Sequence, residues 1–221
     1  MNAKPDTRLR KLAKNHFRED EYFALNVKSG IIRNPTGTRM LGIPADLFAG
    51  LHAGLEEETG AASGVVLHSC GKWWGERFWK RHAAEVRKFY GTDLADMSVH
   101  VQQKLMRRVF ALLGWGLVET NFDLMEKGYL EVVVQNAMYS EVVGNLGRTT
   151  DHLFAGVLSS IMSDLAGRQL DCVEIACRSK GDASCSFLVG LESRVRVAEA
   201  WVKQGRTRAQ ILDQLATSEP A

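Results

Sequence analysis

The chain has 221 residues, 45% of them hydrophobic, with 28 Lys and Arg against 26 Asp and Glu. A chain this long buries a core without covalent staples, and its near-balanced charge leaves no footprint for a nucleic-acid partner. No apolar run is long enough to span a membrane, the basic stretch from Met1 to Asp20 lacks the apolar centre of a secretory signal, and the four cysteines sit among charged residues as in a reducing, cytoplasmic setting.

Residues 1 to 20 read as a short amphipathic helix or a frayed arm, with Leu9, Leu12 and Phe17 among Arg8, Arg10, Lys11, Lys14 and Arg18. Apolar residues from Tyr22 to Val27, a turn at Pro35 and Gly37, and a strand from Thr38 to Ile43 predict a hairpin. Pro44 opens a helix carrying Leu47, Phe48, Leu51 and Leu55 at helical spacing. Gly60 to Ser63 reads as a loop. A further helix is expected through Gly71-Lys-Trp-Trp-Gly75 to Phe78, Trp79 and His82, because Val66, Cys70, Trp73 and Arg77 keep a three-four spacing. Cys70 reads as a core thiol. Val99 to Leu113 forms an amphipathic helix on the stripe Val101, Leu105, Val109 and Leu112, stopped by Gly114 and Gly116.

Two strands follow, residues 116–123 and 128–136, around a turn at Glu126-Lys-Gly128, with Glu131-Val-Val-Val134 the most strand-like run. Asp151 to Leu165 is a strongly apolar helix bearing the small residues Ala155, Gly156, Ser159 and Ser160. The stretch Cys172 to Phe187 holds three of the four cysteines around Ser-Lys-Gly-Asp, a hairpin whose arms bring thiols together. Two helices close the chain, near residues 193–204 and after Gly205. Strands in hairpins among separate helices predict an α+β fold with a twisted antiparallel sheet of about four strands. The expected division is an arm and hairpin over residues 1–43 that serves dimerisation, a central domain over 44–190 and a helical extension over 191–221.

The landmarks between Pro44 and Val189 resemble the 4-vinyl-reductase-type (hydrocarbon-binding) domain. They are Gly71-Lys-Trp-Trp-Gly75, Leu113-Gly-Trp-Gly116, Val134-Gln-Asn136, the helix from Ala155 to Arg168, and Glu174, Cys177 and Gly181-Asp-Ala-Ser-Cys185-Ser-Phe187. This resemblance implies a TRAPP-like antiparallel sheet packed on helices, usually as a homodimer. The domain is known in the sensors of phenol- and toluene-responsive activators, in a small protein of bacteriochlorophyll biosynthesis, and in related form in TRAPP subunits that bury an acyl chain. In the aromatic sensors, zinc is held by a cysteine before the small-residue helix and by residues matching Glu174, Cys177 and Cys185. Here Asp151 stands in the place of that first cysteine, with His152 beside it; Cys172, two residues before Glu174, is the other candidate for the fourth ligand.

Apolar walls with a few oriented polar groups would suit an aromatic, acyl or tetrapyrrole ligand. The candidates are Trp73, Trp74, His100, Trp115, Phe122, Val132 and Phe154. Core packing is the competing reading for each aromatic residue, and two buried thiols lining a hairpin is the competing reading for Cys177 and Cys185. No glycine-rich dinucleotide fingerprint and no Walker loop occurs, so binding is expected rather than catalysis. The expectation is a hydrophobic-ligand-binding protein with a structural zinc clip, no membrane span and no nucleic-acid partner. The alternatives are an auxiliary protein or vinyl reductase of (bacterio)chlorophyll biosynthesis, and a dimeric scaffold without ligand. The C-terminal helices are expected to pack on the domain or on a dimer mate.

Overall fold

The structure, a computed structural model, describes residues 16–217. The arm or helix expected over residues 1–20 lies, up to residue 15, outside the described residues. Three short strands come first: β1 (Ala24–Asn26), β2 (Ile31–Arg33) and β3 (Arg39–Met40), antiparallel in chain order. The sequence predicts one hairpin here, and Ile31–Arg33 adds a middle strand because a turn after Asn26 reverses the chain before Pro35 does so again. This small sheet is tied to the next helical layer by one carboxylate. Buried Glu85 accepts from Tyr22 Oη at 3.2 Å, from Thr38 Oγ1 at 3.3 Å and from Asn34 Nδ2.

Helix α1 (Asp46–Thr59) leads through a single 3-10 turn, where the sequence predicts a loop, into α2 (Ser63–Tyr90), which runs unbroken through the tryptophans. Its helical character is as predicted, but the stripe of Cys70, Trp73 and Arg77 faces solvent. The buried stripe is Leu67, Gly71, Gly75, Phe78, His82 and Val86. Cys70 is therefore an exposed thiol, correcting its assignment to the core. Hydrophobic spacing alone favours the tryptophan side; the glycine side wins because it admits another backbone. A Cβ on Gly71 would lie 2.0 Å from the Leu153 carbonyl oxygen, and one on Gly156 2.0 Å from that of His68. Only glycine permits so close a crossing.

The chain continues as α3 (Val99–Leu112), β4 (Leu117–Asn121), β5 (Tyr129–Gln135), α4 (Met138–Val143), α5 (His152–Ala166), β6 (Asp171–Ala176), β7 (Cys185–Gly190), α6 (Glu192–Lys203) and α7 (Arg208–Thr217). The short α4, which the sequence does not reveal, follows a reversal at Asn136, a non-glycine residue at φ 53°. Four strands pair antiparallel in the order β4-β5-β7-β6. Register is set on β5, where Val132 faces Thr120 on one side and Phe187 on the other. Alternation then sorts the side chains between two layers. Val132, Val134, Cys172, Phe187 and Val189 pack towards the helices, in a core that also takes Trp79, Phe110, Phe154 and Leu158. Ile175, Leu188 and Tyr129 face the other way and are covered by Ala198 of α6 and by Ile211 and Leu215 of α7.

The C-terminal helices thus close the back of the sheet. Buried Glu131 on β5 accepts from Ser186 Oγ at 2.5 Å and from Arg208 at 2.5 and 2.9 Å, a bidentate clamp that pins α7 to the sheet. Among the described residues no helix is long and apolar enough to cross a membrane.

Candidate functional site

The cysteine hairpin is β6 and β7, joined by residues 177–184. A register shift on β6 between Glu174 and Ala176 sets Glu174 against Phe187 and Ala176 against Ser186. Such bulges re-aim side chains. Here one ligand atom each from Glu174, Cys177 and Cys185 falls within 4.8 Å of the others, and all three residues are buried.

The surroundings hold these groups in place. Glu174 Oε2 accepts the backbone N–H groups of Thr150 at 3.0 Å and Asp151 at 2.9 Å, at the entry to α5. Its other oxygen, Oε1, is buried without a hydrogen-bond partner among the described residues. Cys177 N donates to Asp182 Oδ2 at 2.8 Å, and Thr150 Oγ1 lies 3.6 Å from Cys177 Sγ. Cys185 Sγ donates to Ser140 Oγ at 3.4 Å, so α4 roofs the cluster.

Burial is costly for the charged forms of these acids. It pushes Glu174 well above the usual carboxylate range and Asp151 up to about 7. A hydrogen bond from Cys185 holds the Cys177 thiol down to about 4, and the same bond pushes Cys185 up. Glu174, Cys177 and Cys185 converge within 4.8 Å, so their charged forms oppose one another unless protons are shared or a cation binds.

The three predicted candidates for the remaining ligand are placed differently. Asp151 caps α5, its Oδ1 accepting from Phe154 N at 3.0 Å, and the charge of Cys177 helps to raise its pKa. The His152 ring packs against Gly64, within 3.0 Å of where a Cβ would be. Cys172 points into the helix-facing core and pairs with Val189. None of the three joins the converging trio.

The second feature is a groove of about 650 Å³ between α3, the sheet and the end of α5. Trp79, Met106, Leu130, Met162 and Val189 line its depth, and Val99, Phe122, Met125 and Leu165 its exposed mouth. The hydroxyl of Thr120, buried and without a partner among the described residues, lies in its wall. A wider groove of about 890 Å³ runs along the other side of α3, past His100, Lys104, Arg107 and Arg108. Charged walls make it the poorer place for an apolar molecule.

Of the seven residues predicted to touch a ligand, Phe122 alone lines the apolar groove. Trp74 stacks on Trp115 at 5.1 Å between ring centres, and Trp115 on Phe154 at 5.6 Å. Those three form an aromatic wall that fills its own space, with Val132 buried in the same core. Trp73 is 60% exposed under the Arg77 guanidinium, and His100 lies on the charged groove. Reasoning from the sequence misses Met106, Leu130 and Met162. The alternation of β5, which sends Leu130 and Val132 to the helix side together, is the signal that points to Leu130.

No family model matches the chain. It is 23% identical over 167 residues to the uncharacterized protein MJ0150 of Methanocaldococcus jannaschii, covering 75% of this chain and 87% of that one. Its structure is similar to the crystal structure of the phenol-responsive sensory domain of the transcription activator PoxR with phenol. That match has a TM-score of 0.63 and 15% identity over 90% of this chain and 98% of the other. A vinyl-4-reductase family protein from Methanocaldococcus jannaschii matches at a TM-score of 0.45 and 19% identity, over 68% and 82% of the two chains. The fold this chain shares is the α+β fold of the phenol-responsive sensory domain.

Proposed function

We propose that the protein binds a small hydrophobic molecule in the groove between α3 and the sheet, and that a zinc ion at Glu174, Cys177 and Cys185 fastens the hairpin beside α5. The observation that carries the ligand reading is the groove itself. Its 650 Å³ falls in the roughly 300–1,000 Å³ range of small-molecule sites, and Trp79, Met106, Leu130, Met162 and Val189 give it an apolar depth. The phenol-responsive neighbour, solved with phenol, supports the same reading.

The donor set supports zinc. Two thiolates and a carboxylate oxygen are ordinary zinc ligands, and the orphaned Glu174 Oε1 is the atom a cation would satisfy. Asp151, whose backbone N–H is bound to Glu174 Oε2 at the entry to α5, is the choice for the fourth ligand. When bound, the metal would neutralise the clustered acids and close the fold; its role is structural. The reading includes a homodimer, which the exposed apolar residues Phe23, Leu25, Val27, Leu41, Leu47 and Leu51 of the N-terminal region favour.

Native mass spectrometry of freshly purified protein tests all three parts. One zinc per chain, a copurified small molecule or a saturable shift with naphthol, and a dimer mass are expected. Absence of metal that persists after zinc is added, or no binding of any apolar probe, defeats the corresponding part.

A further inference from the structure

We propose that the outer edge of β4, with the cationic side of α3 beside it, docks an acidic polypeptide segment that adds to the sheet as an extended strand. β4 ends the strand order β4-β5-β7-β6, so Leu117–Asn121 pairs with β5 alone. No other hydrogen bond reaches its backbone among the described residues. Sheet edges are ordinarily blunted by a bulge, a proline or a lysine. The opposite edge strand, β6, carries a register shift. β4 pairs in continuous register, and its sequence, Leu-Val-Glu-Thr-Asn, has neither proline nor lysine. The groove of about 890 Å³ lies along this edge, with Leu117 to Thr120 on one wall and α3 on the other.

What covers the edge is an exposed ion pair. Val118 and Thr120 lie opposite Val134 and Val132, on the helix side, so alternation turns Glu119 to the other face. Arg107 of α3 still reaches Glu119 Oε1 at 2.5 Å, and must pass round the outer edge to do so. Both side chains are about half exposed, and a pair of that kind adds little stability, so an incoming strand can displace it. The edge selects a polypeptide, because another main chain is what matches a row of alternating N–H and C=O groups. The surroundings select acidity. Lys104 and Arg108, one turn apart on α3, line the groove without a carboxylate partner among the described residues; Arg108 gives its Nε to the Phe17 carbonyl oxygen. Glu19 is the acidic counterpart on that lining. Phe17 also lies on the groove, and residues 1–15 before it carry Lys4, Arg8, Arg10, Lys11 and Lys14 against Asp6 alone. The excess is local, since the formal net charge of the whole chain is +2. A second copy of this chain would set those cations against themselves, which disfavours pairing of β4 with β4.

The test titrates full-length protein into dye-labelled octapeptides, read by fluorescence anisotropy. A peptide of alternating glutamate and valine should bind saturably, and its lysine–valine counterpart should not bind at the same concentrations. A copy of the acidic peptide N-methylated throughout should bind at least about tenfold more weakly, for want of main-chain donors. Hydrogen exchange should slow at residues 117–121, and not at residues 171–176, when the acidic peptide is bound. Lys104→Glu should weaken that peptide about tenfold with the melting temperature unchanged, and Glu119→Gln, which releases Arg107, should tighten it about threefold. Both effects should shrink in high salt. An N-methylated peptide that binds as well as its parent, or an oligothymidylate that binds more tightly and displaces it, marks a face that reads charge alone and overturns the strand assignment. Absence of saturable binding by the acidic peptide, or an affinity that neither variant moves, overturns the docking site itself.

Discussion

Replacing Gly156 with alanine strikes the closest helix crossing in the fold. The new Cβ would stand 2.0 Å from the His68 carbonyl oxygen and 2.9 Å from the Lys72 amide nitrogen. Ordinary contact begins near 3.4 Å, so α2 and α5 must part by roughly 1.4 Å along that line. The obstacle is backbone, which cannot rotate aside as a side chain would. A gap of even 0.5–1 Å forfeits roughly a quarter to a half of the dispersion energy of the atoms facing it. Overpacking of this kind costs about 1–3 kcal/mol and more where nothing yields, while alanine returns about 1 kcal/mol of helix propensity. The expected net loss is about 2 kcal/mol, or roughly 4–8 °C in melting temperature for a chain of this size. Urea unfolding followed by circular dichroism measures it, with Gly50→Ala as the control. Gly50 sits within α1 with nothing inside 4 Å of the place a methyl group would take, so that change should stabilise by up to about 1 kcal/mol. A Gly156→Ala protein within about 0.5 kcal/mol of the parent, or a Gly50→Ala protein equally damaged, would refute the close-packing argument.

Three further outcomes are expected. Cys177→Ser should lower zinc content to well below one per chain and reduce the melting temperature, whereas Cys70→Ser on the exposed face of α2 should change neither; elemental analysis and a thermal scan decide. His82 is fully buried with neither ring nitrogen hydrogen-bonded among the described residues, and desolvation lowers its pKa from 6.5 to about 4 against the opposing pull of Glu85. Its folded value is below its unfolded one, so its contribution to stability is complete above pH 6.5 and is lost as the pH falls towards 4, by about 3 kcal/mol. His82→Phe should flatten the acid limb over that window, and an unchanged limb in denaturant titrations at pH 7, 5.5 and 4.5 would count against it. Arg208→Ala should leave the buried Glu131 carboxylate with Ser186 as its main remaining partner and destabilise by about 2 kcal/mol, discounted for the partial exposure of the arginine; Arg208→Ala with Glu131→Gln should recover part of that loss in a double-mutant cycle.

Much of the architecture is legible in the sequence because it follows from local periodicity. The stripe of α3, the apolar run of α5 and the β5 segment Glu131 to Val134 each carry a period that only one element satisfies. The N-terminal sheet reads one strand short, since a strand of three residues such as Ile31–Arg33 shows no alternation to count. The helix α4 escapes for a related reason: six residues after a strand end give no second turn of pattern.

The site divides in the same way. Glu174, Cys177 and Cys185 can be named from the chain because their spacing spans one hairpin, and local structure brings such residues together. Residues from distant elements cannot. That Thr150 and Asp151 give their amides to Glu174, that Met106, Leu130 and Met162 share a groove, and that Trp73 faces water while Trp79 does not, all depend on how α2, α3 and α5 rotate against the sheet. The sequence by itself determined the longer elements, the α+β class and the donors on one hairpin. The tertiary structure decided which face of each helix is inside, because the glycines that set the α2–α5 crossing outweigh the pull of Trp73, and no single-helix pattern records that contest.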